Sequence, residues 1–221
     1  MKTKQLTLLA IALIAGFSMN AQQLFQGAEA MKICRGSKTV TINEQSRVPS
    51  FIVFREDSKF STAQIQDVLR PALNMQIADA MRSKNVVTDD IGFTHERFSQ
   101  TYNDIRVEDG EYIVHTKSGF VQTANGMWFD GIAVNTNPSL TKDAAVTKAT
   151  AYVGASSYRW QIPAEEAWLK VITRNPNATY YPAGELVIVC RNGNVREKDY
   201  VLAWKLDIYA ADPVSRQWIF V

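Results

Sequence analysis

Between Arg97 and Thr123 the chain makes three short extended runs with almost nothing between them, and that spacing limits the fold more than any other feature. The runs are Arg97 to Tyr102, Glu111 to Thr116 and Phe120 to Thr123, and Asp109-Gly110 and Ser118-Gly119 are the turn-forming dipeptides that separate them. A crossover between parallel strands needs about a dozen residues or more, which these linkers lack. The spacing predicts an antiparallel meander. Long helices do not alternate with the strands, so a doubly wound parallel sheet is excluded.

Around this meander the pattern is mixed. Ser50 to Arg55, after Pro49, is rich in aromatic and β-branched residues and reads as a strand. Ser61 or Thr62 can cap a helix with apolar positions at Ile65, Val68 and Leu69, followed by Leu73 and Met75, and Pro71 ends or kinks it. A seam follows near Asn135-Thr136-Asn137-Pro138. Thr141 then caps a second helix with Ala145, Ala149, Tyr152 and Val153 on one face and Gly154 as its stop. Residues 163–173 predict a further short helix with Trp168, Leu169 and Val171 facing inward. Two strands come next, Glu185 to Cys190 and Tyr200 to Ala210. In the second, Leu202, Trp204, Leu206 and Ile208 share a face, with Lys205 and Asp207 on the other. Asp212-Pro213 makes a turn into a last strand from Gln217 to Val221. The expected class is α+β: two consecutive modules, each an antiparallel sheet packed with one or two helices.

The first 21 residues point to export. Lys2 and Lys4 precede the apolar run Leu6 to Phe17, which is short for a bilayer span, and Ser18-Met19-Asn20-Ala21 supplies small and polar residues. This is the layout of a secretory signal peptide over residues 1–21, cleaved after Ala21, with residues 22–37 an irregular lead-in. The whole chain is 46% hydrophobic and 21% charged, ordinary for a domain with a real core. Lys2 and Lys4 leave with the signal, so the exported part has no formal net charge. Neither nucleic acid nor an anionic membrane is an expected partner. Of the two cysteines, Cys34 and Cys190, the sequence leaves two readings open: a disulfide in an oxidising compartment, or two separate buried thiols.

No catalytic constellation is legible. His95-Glu96 begins a zinc-protease helix motif, yet Ser99 stands where the second histidine must be, and the run is strand-like. The other histidine, His115, is remote in sequence. Asp89-Asp90 and Glu165-Glu166 read as solvated loop or helix-start residues, and Trp160, Trp168, Trp204 and Trp218 as core. Asn177-Ala178-Thr179 spells a glycosylation sequon. The expectation is no catalytic residue, no bound metal and no cofactor in this chain.

One stretch carries a resemblance. Phe93-Thr94-His95-Glu96-Arg97-Phe98, then Gln100 to His115, then Gly119 to Gly126, resembles the fungalysin/thermolysin propeptide motif. Val153-Gly154-Ala155 with Tyr158 and Trp160, and Tyr181-Pro182 with Gly184 to Val189, are similar to the pro-region of thermolysin-type neutral proteases. Leu202 to Ala210 and Pro213 to Arg216 resemble the PepSY module that follows it. Asp104 and Arg106 depart from the glycine and proline the resemblance leads one to expect, and Cys190 is an unexpected cysteine. The resemblance implies a propeptide-like module at 38–135 and a PepSY-like module at 136–221, truncated within its last strand. It also implies a partner, the cognate metalloprotease catalytic domain joined in cis, with zinc and calcium belonging to that domain alone. The chain would assist its folding and cover its cleft. A free-standing exported peptidase inhibitor or binding module of the same fold is the alternative.

Overall fold

Eleven strands and four helices form among residues 22–43 and 46–221, which the computed structural model describes; the segment read as a signal peptide lies outside the described residues. In chain order they are β1 (Gln22–Gln26), α1 (Gly27–Ile33), β2 (Ser37–Asn43), β3 (Pro49–Phe54), α2 (Thr62–Ala72), β4 (Asp79–Thr88), β5 (Phe93–Tyr102), β6 (Ile105–Lys117) and β7 (Phe120–Gly126). After an irregular stretch come α3 (Lys142–Val153), β8 (Ser157–Tyr158), α4 (Pro163–Thr173), β9 (Glu185–Cys190), β10 (Tyr200–Asp212) and β11 (Val214–Phe220). The class is α+β, as the sequence implies.

The strands belong to one sheet rather than two separate ones. Its main path runs β1-β2-β3-β7-β6-β9-β10-β11, with β4 and β5 added through β6 and β8 through β10. All pairings are antiparallel except β6 with β9, where Arg106 and Val107 lie beside Val187 and Ile188 in parallel. One edge of β6 pairs with β5 along most of its length, while its other edge pairs with β7 at one end and β9 at the other. The sheet therefore forks at β6.

The fork exists because Asp109-Gly110 is not a turn. The hairpin bends at Asn103 and Asp104, both with positive φ (47° and 64°), which a short polar side chain tolerates. Asp104 thus sits where the backbone favours the glycine that the resemblance anticipates. Asp109-Gly110 instead forms a bulge inside β6: Ser99 pairs with Glu111 and Thr101 with Arg106, so Gln100 alone faces residues 107–110. The bulge bends the strand and turns its first half toward β9.

Three hydrophobic clusters hold the molecule. The first packs α1 and α2 on one face of β2, β3, β5, β6 and β7 through Ala30, Ile52, Ile65, Leu69, Phe98, Tyr112 and Val114. Helix α2 starts as expected, with Ser61 and Gln64 forming a capping box, and Pro71 lies in its last turn. The second packs Ala145, Val146 and Ala149 of α3 on Leu206, Ile208 and Ala210 of β10. Thr141 caps α3 by accepting from the Ala144 N–H, and Gly154 ends it at φ 66°. The third cluster, with Val107 of β6, Ile188 of β9 and Tyr200 of β10 beside Phe129 and Ile132, lies at the fork.

Several expectations need correction. Residues 22–37 are ordered: β1 pairs with β2 in register, and Ala30 and Cys34 are buried. Short polar elements supported by a neighbouring strand carry little periodicity of their own. Strand β4 escapes a sequence reading because its run from Arg82 to Thr88 is exposed and gains order only by pairing with β5. Helix α4 has the expected bounds but the wrong face: Trp168 is 60% exposed, Val171 66%, and no residue of the helix is buried. Tyr152 also faces solvent, as does Trp218. Cys34 and Cys190 are free thiols in different clusters, Cys34 in the first and Cys190 at the rim of the third.

Candidate functional site

Alternation along the strands leaves β3, β7, β6, β5 and β4 with one face on the first core and the other toward solvent. Ile52, Phe98, Tyr112, Val114 and Ala124 point inward and are buried. Their neighbours Phe51, Val87, His95, Arg97, Ile113 and His115 are half-buried or exposed. This outward face, together with the free edge of β4, is a candidate surface.

Its centre is polar and highly organised. Pairing places Val87, His95, His115 and Thr123 in one row across β4, β5, β6 and β7. The two histidines face each other directly, Nδ1 to Nδ1 at 2.5 Å. The outer nitrogen of His95, Nε2, lies 3.1 Å from Asp89 Oδ2, and that of His115 lies 2.7 Å from Asn125 Oδ1. Asp89 is itself fixed by the backbone N–H groups of Phe93 and Ile91 at 2.8 and 3.0 Å. The Phe93 N–H above all, then His95 and the Ile91 N–H, holds its carboxyl below the usual range against the opposing effect of burial. The ring of Phe93 lies parallel to that of His95, with centroids 6.3 Å apart. The result is an unbroken chain of polar contacts, Asp89 to His95 to His115 to Asn125.

Beside it, Glu111 accepts from Lys84 Nζ at 2.5 Å and from Arg97 at 2.9 Å. The Lys84 bond first, and then Arg97, lower the Glu111 carboxyl. At the fork, Arg106 grips Glu185 through Nε and a terminal nitrogen at 2.8 and 2.9 Å, and also pairs with Glu108. Lys205 of β10 reaches the same Glu108. The arginine that departs from the resemblance's proline therefore ties the two halves of the sheet together. The Glu185 contact raises the Arg106 guanidinium and lowers the Glu185 carboxyl.

Among the described residues no three His, Cys, Asp or Glu side chains converge as metal ligands. His95 and Glu96 are neighbours on a strand and so point to opposite faces. Glu165 pairs with Arg159 and Glu166 accepts the Tyr180 N–H, both structural roles at the start of α4. Trp160 stacks on Tyr158, and Trp204 donates to Leu140 O at 2.9 Å, while Trp168 and Trp218 are exposed. Asn177 lies in an exposed turn. No described helix is long and apolar enough to cross a membrane.

The histidine pair was missed in sequence because a turn at Asp109-Gly110 sets the wrong register. With that turn, Asp104 rather than His95 would stand opposite His115.

Residues 79–127 match the family model of the fungalysin/thermolysin propeptide motif. That stretch covers β4 to β7, including the histidine pair and most of the outward face, and the match supports a propeptide of thermolysin-like metalloproteases. A comparison with curated proteins finds no match.

Proposed function

We propose that this chain is the pro-segment of an exported thermolysin-like zinc metalloendopeptidase, acting on a catalytic domain joined to it as folding assistant and inhibitor. The observation that carries the reading is the propeptide-motif match over β4 to β7. In this reading residues 136–221 are the PepSY-like companion module and residues 1–21 the signal that directs export. Zinc belongs to the partner domain, where it would polarise the scissile carbonyl and activate water.

The physical work of such a segment is binding. A surface that recognises the native peptidase and its folding transition state lowers the barrier to folding, and mass action keeps the cleft covered until the segment is removed. The outward sheet face and the free edge of β4, where Val86 and Val87 are exposed, suit the docking of an extended segment by strand addition. Arg82 and Lys84 on that same strand discourage self-association.

The test is to refold a panel of thermolysin-type catalytic domains with and without the purified chain at equal molar ratio. Higher refolding yield, together with loss of peptidase activity on adding the chain to active enzyme, is the expected result. Unchanged yield and unchanged activity across the panel would remove both roles.

A further inference from the structure

Strand β10 is longer than the strand at its outer edge. It runs from Tyr200 to Asp212, and β9 pairs with it from Tyr200 to Lys205, but β11 lies alongside only from Ala211 back to Lys205. One more pair closes that ladder: the Trp204 N–H donates to the Val221 carbonyl at 2.8 Å, and the Val221 N–H donates back at 3.1 Å. In an antiparallel ladder every second residue turns its N–H and C=O toward the same neighbour. Leu202, two residues from Trp204, therefore presents both groups along the line of β11, where no described backbone group bonds to them. A cavity lies on each face of the sheet at this point, and Val201, Leu202, Ala203 and Val221 line both. We infer that the open edge of β10 from Val201 to Ala203 is a docking slot for a separate extended peptide, which adds one short strand in the line of β11.

The two cavities set what the peptide carries. Adjacent strand residues point to opposite faces, so Trp204 and Lys205 mark one cavity each. The Lys205 side, with Glu108 and Phe220, opens into about 810 Å³ walled by Met127, Phe129, Val189 and Val195. The Trp204 side, where the indole donates to Leu140 O, opens into about 460 Å³ with Asn135, Asn137 and Ser139 on its wall. Residues paired across a ladder share a face. A peptide residue bonded to Leu202 thus turns its side chain toward these amides and the hydroxyl. The residues before and after it, opposite Ala203 and Val201, turn theirs into the larger, apolar cavity. Asp109, exposed on the rim of that cavity, favours a basic residue at the flank. The occupant is therefore an extended segment of apolar-polar-apolar pattern with lysine or arginine beside it. A helix cannot fill the slot, because its backbone groups are taken up by its own ladder. The slot is separate from the β4 edge and does not rest on the pro-segment reading.

The probe is a peptide blocked at both ends, of lysine, leucine, threonine, leucine and lysine in that order, titrated into 15N-labelled protein. The Leu202 amide should exchange rapidly with solvent in the free protein and become protected by the peptide, with the largest shifts from Val201 to Ala203. Methylating the threonine nitrogen, or placing the two leucines side by side, should weaken binding at least about tenfold. Phe220→Ser, at a side chain already 43% exposed, should weaken binding while leaving the thermal melt in place. Slow exchange of Leu202 without peptide, no shift at millimolar peptide, or equal affinity for the methylated peptide would overturn the inference. So would shifts that centre on Val86 and Val87 of β4, or sedimentation of a dimer that protects Leu202 by itself.

Discussion

The side-chain amide of Gln100 and the backbone of Phe129 exchange two hydrogen bonds: Gln100 Nε2 donates to the Phe129 carbonyl at 2.7 Å, and the Phe129 N–H donates to Oε1 at 2.9 Å. Gln100 is fully buried opposite the β6 bulge, so its side chain acts as a short strand for a loop that has no strand partner. Replacing it by leucine leaves a buried donor and acceptor without partners. Gln100→Leu should lose about 1–3 kcal/mol of stability by denaturant unfolding. Gly110→Ala should act at the same place, since an added Cβ would meet the Gln100 Cβ at 2.9 Å. Full additivity of the two in the double variant would show that the bulge and the amide are not coupled.

Lys205 joins β10 to Glu108 of β6 across the fork, with both side chains only 16% exposed, and its ammonium also lies 4.7 Å from the centre of the Trp218 ring. Removing the lysine takes one of two cations from a largely buried carboxylate and leaves Glu108 to Arg106. Lys205→Met should destabilise by about 1–3 kcal/mol, between the limits for surface and buried pairs. Arg216→Met, which breaks the more exposed pair with Asp207, should lose no more than about 1 kcal/mol. Equal losses would mean that the fork gains nothing from its charges.

Asp79 is buried at the start of β4, accepting the Gln76 N–H at 2.8 Å, and burial raises its carboxyl above the ordinary range. A carboxyl raised on folding binds its proton more tightly in the native state. The stability it contributes is therefore complete below the unfolded value, about 3.9, and is lost as pH rises through the higher native value. Asp79→Asn abolishes that loss. Thermal melts should show the variant gaining on wild type as pH rises from 4 to 8 (about the range to scan); a difference that does not vary with pH would refute the assignment.

The thiols differ in reach. Burial pushes the Cys34 thiol up to about 12, while Cys190 is raised less and is partly open. Thiolate is the reactive form, so native protein should react with a disulfide reagent slowly and at Cys190 alone. Unfolding in denaturant without reductant should expose a second equivalent. A chain that yields none under those conditions contains a disulfide.

Local chemistry made much of this molecule legible. Capping by Ser61 and Thr141, the stop at Gly154, and the alternation of buried Leu206 and Ile208 with Lys205 and Asp207 are properties of a few adjacent residues, and they fold as their spacing implies; nearer the start of β10 the pattern breaks, with Ala203 buried and Leu202 in the third cluster. The turn at Ser118-Gly119 belongs with them, both residues having positive φ. Asp109-Gly110 misled because the same dipeptide serves a turn or a bulge, and only competition with Asn103-Asp104 decides which. The orientation of α4 misled for a related reason. An apolar stripe at Trp168 and Val171 states that a face wants cover, and the described residues do not provide it.

The sequence alone determined that this chain is α+β, antiparallel in its middle, and without a recognisable catalytic motif, because turn chemistry, capping and periodicity act over a few residues. Tertiary structure decided that the sheet is single and forked, that Arg106 and Lys205 bind its halves, and that His95 meets His115. Those outcomes depend on strand register, and register here turns on three extra residues in one bulge, whose energy is settled by distant partners such as Gln100 and β9.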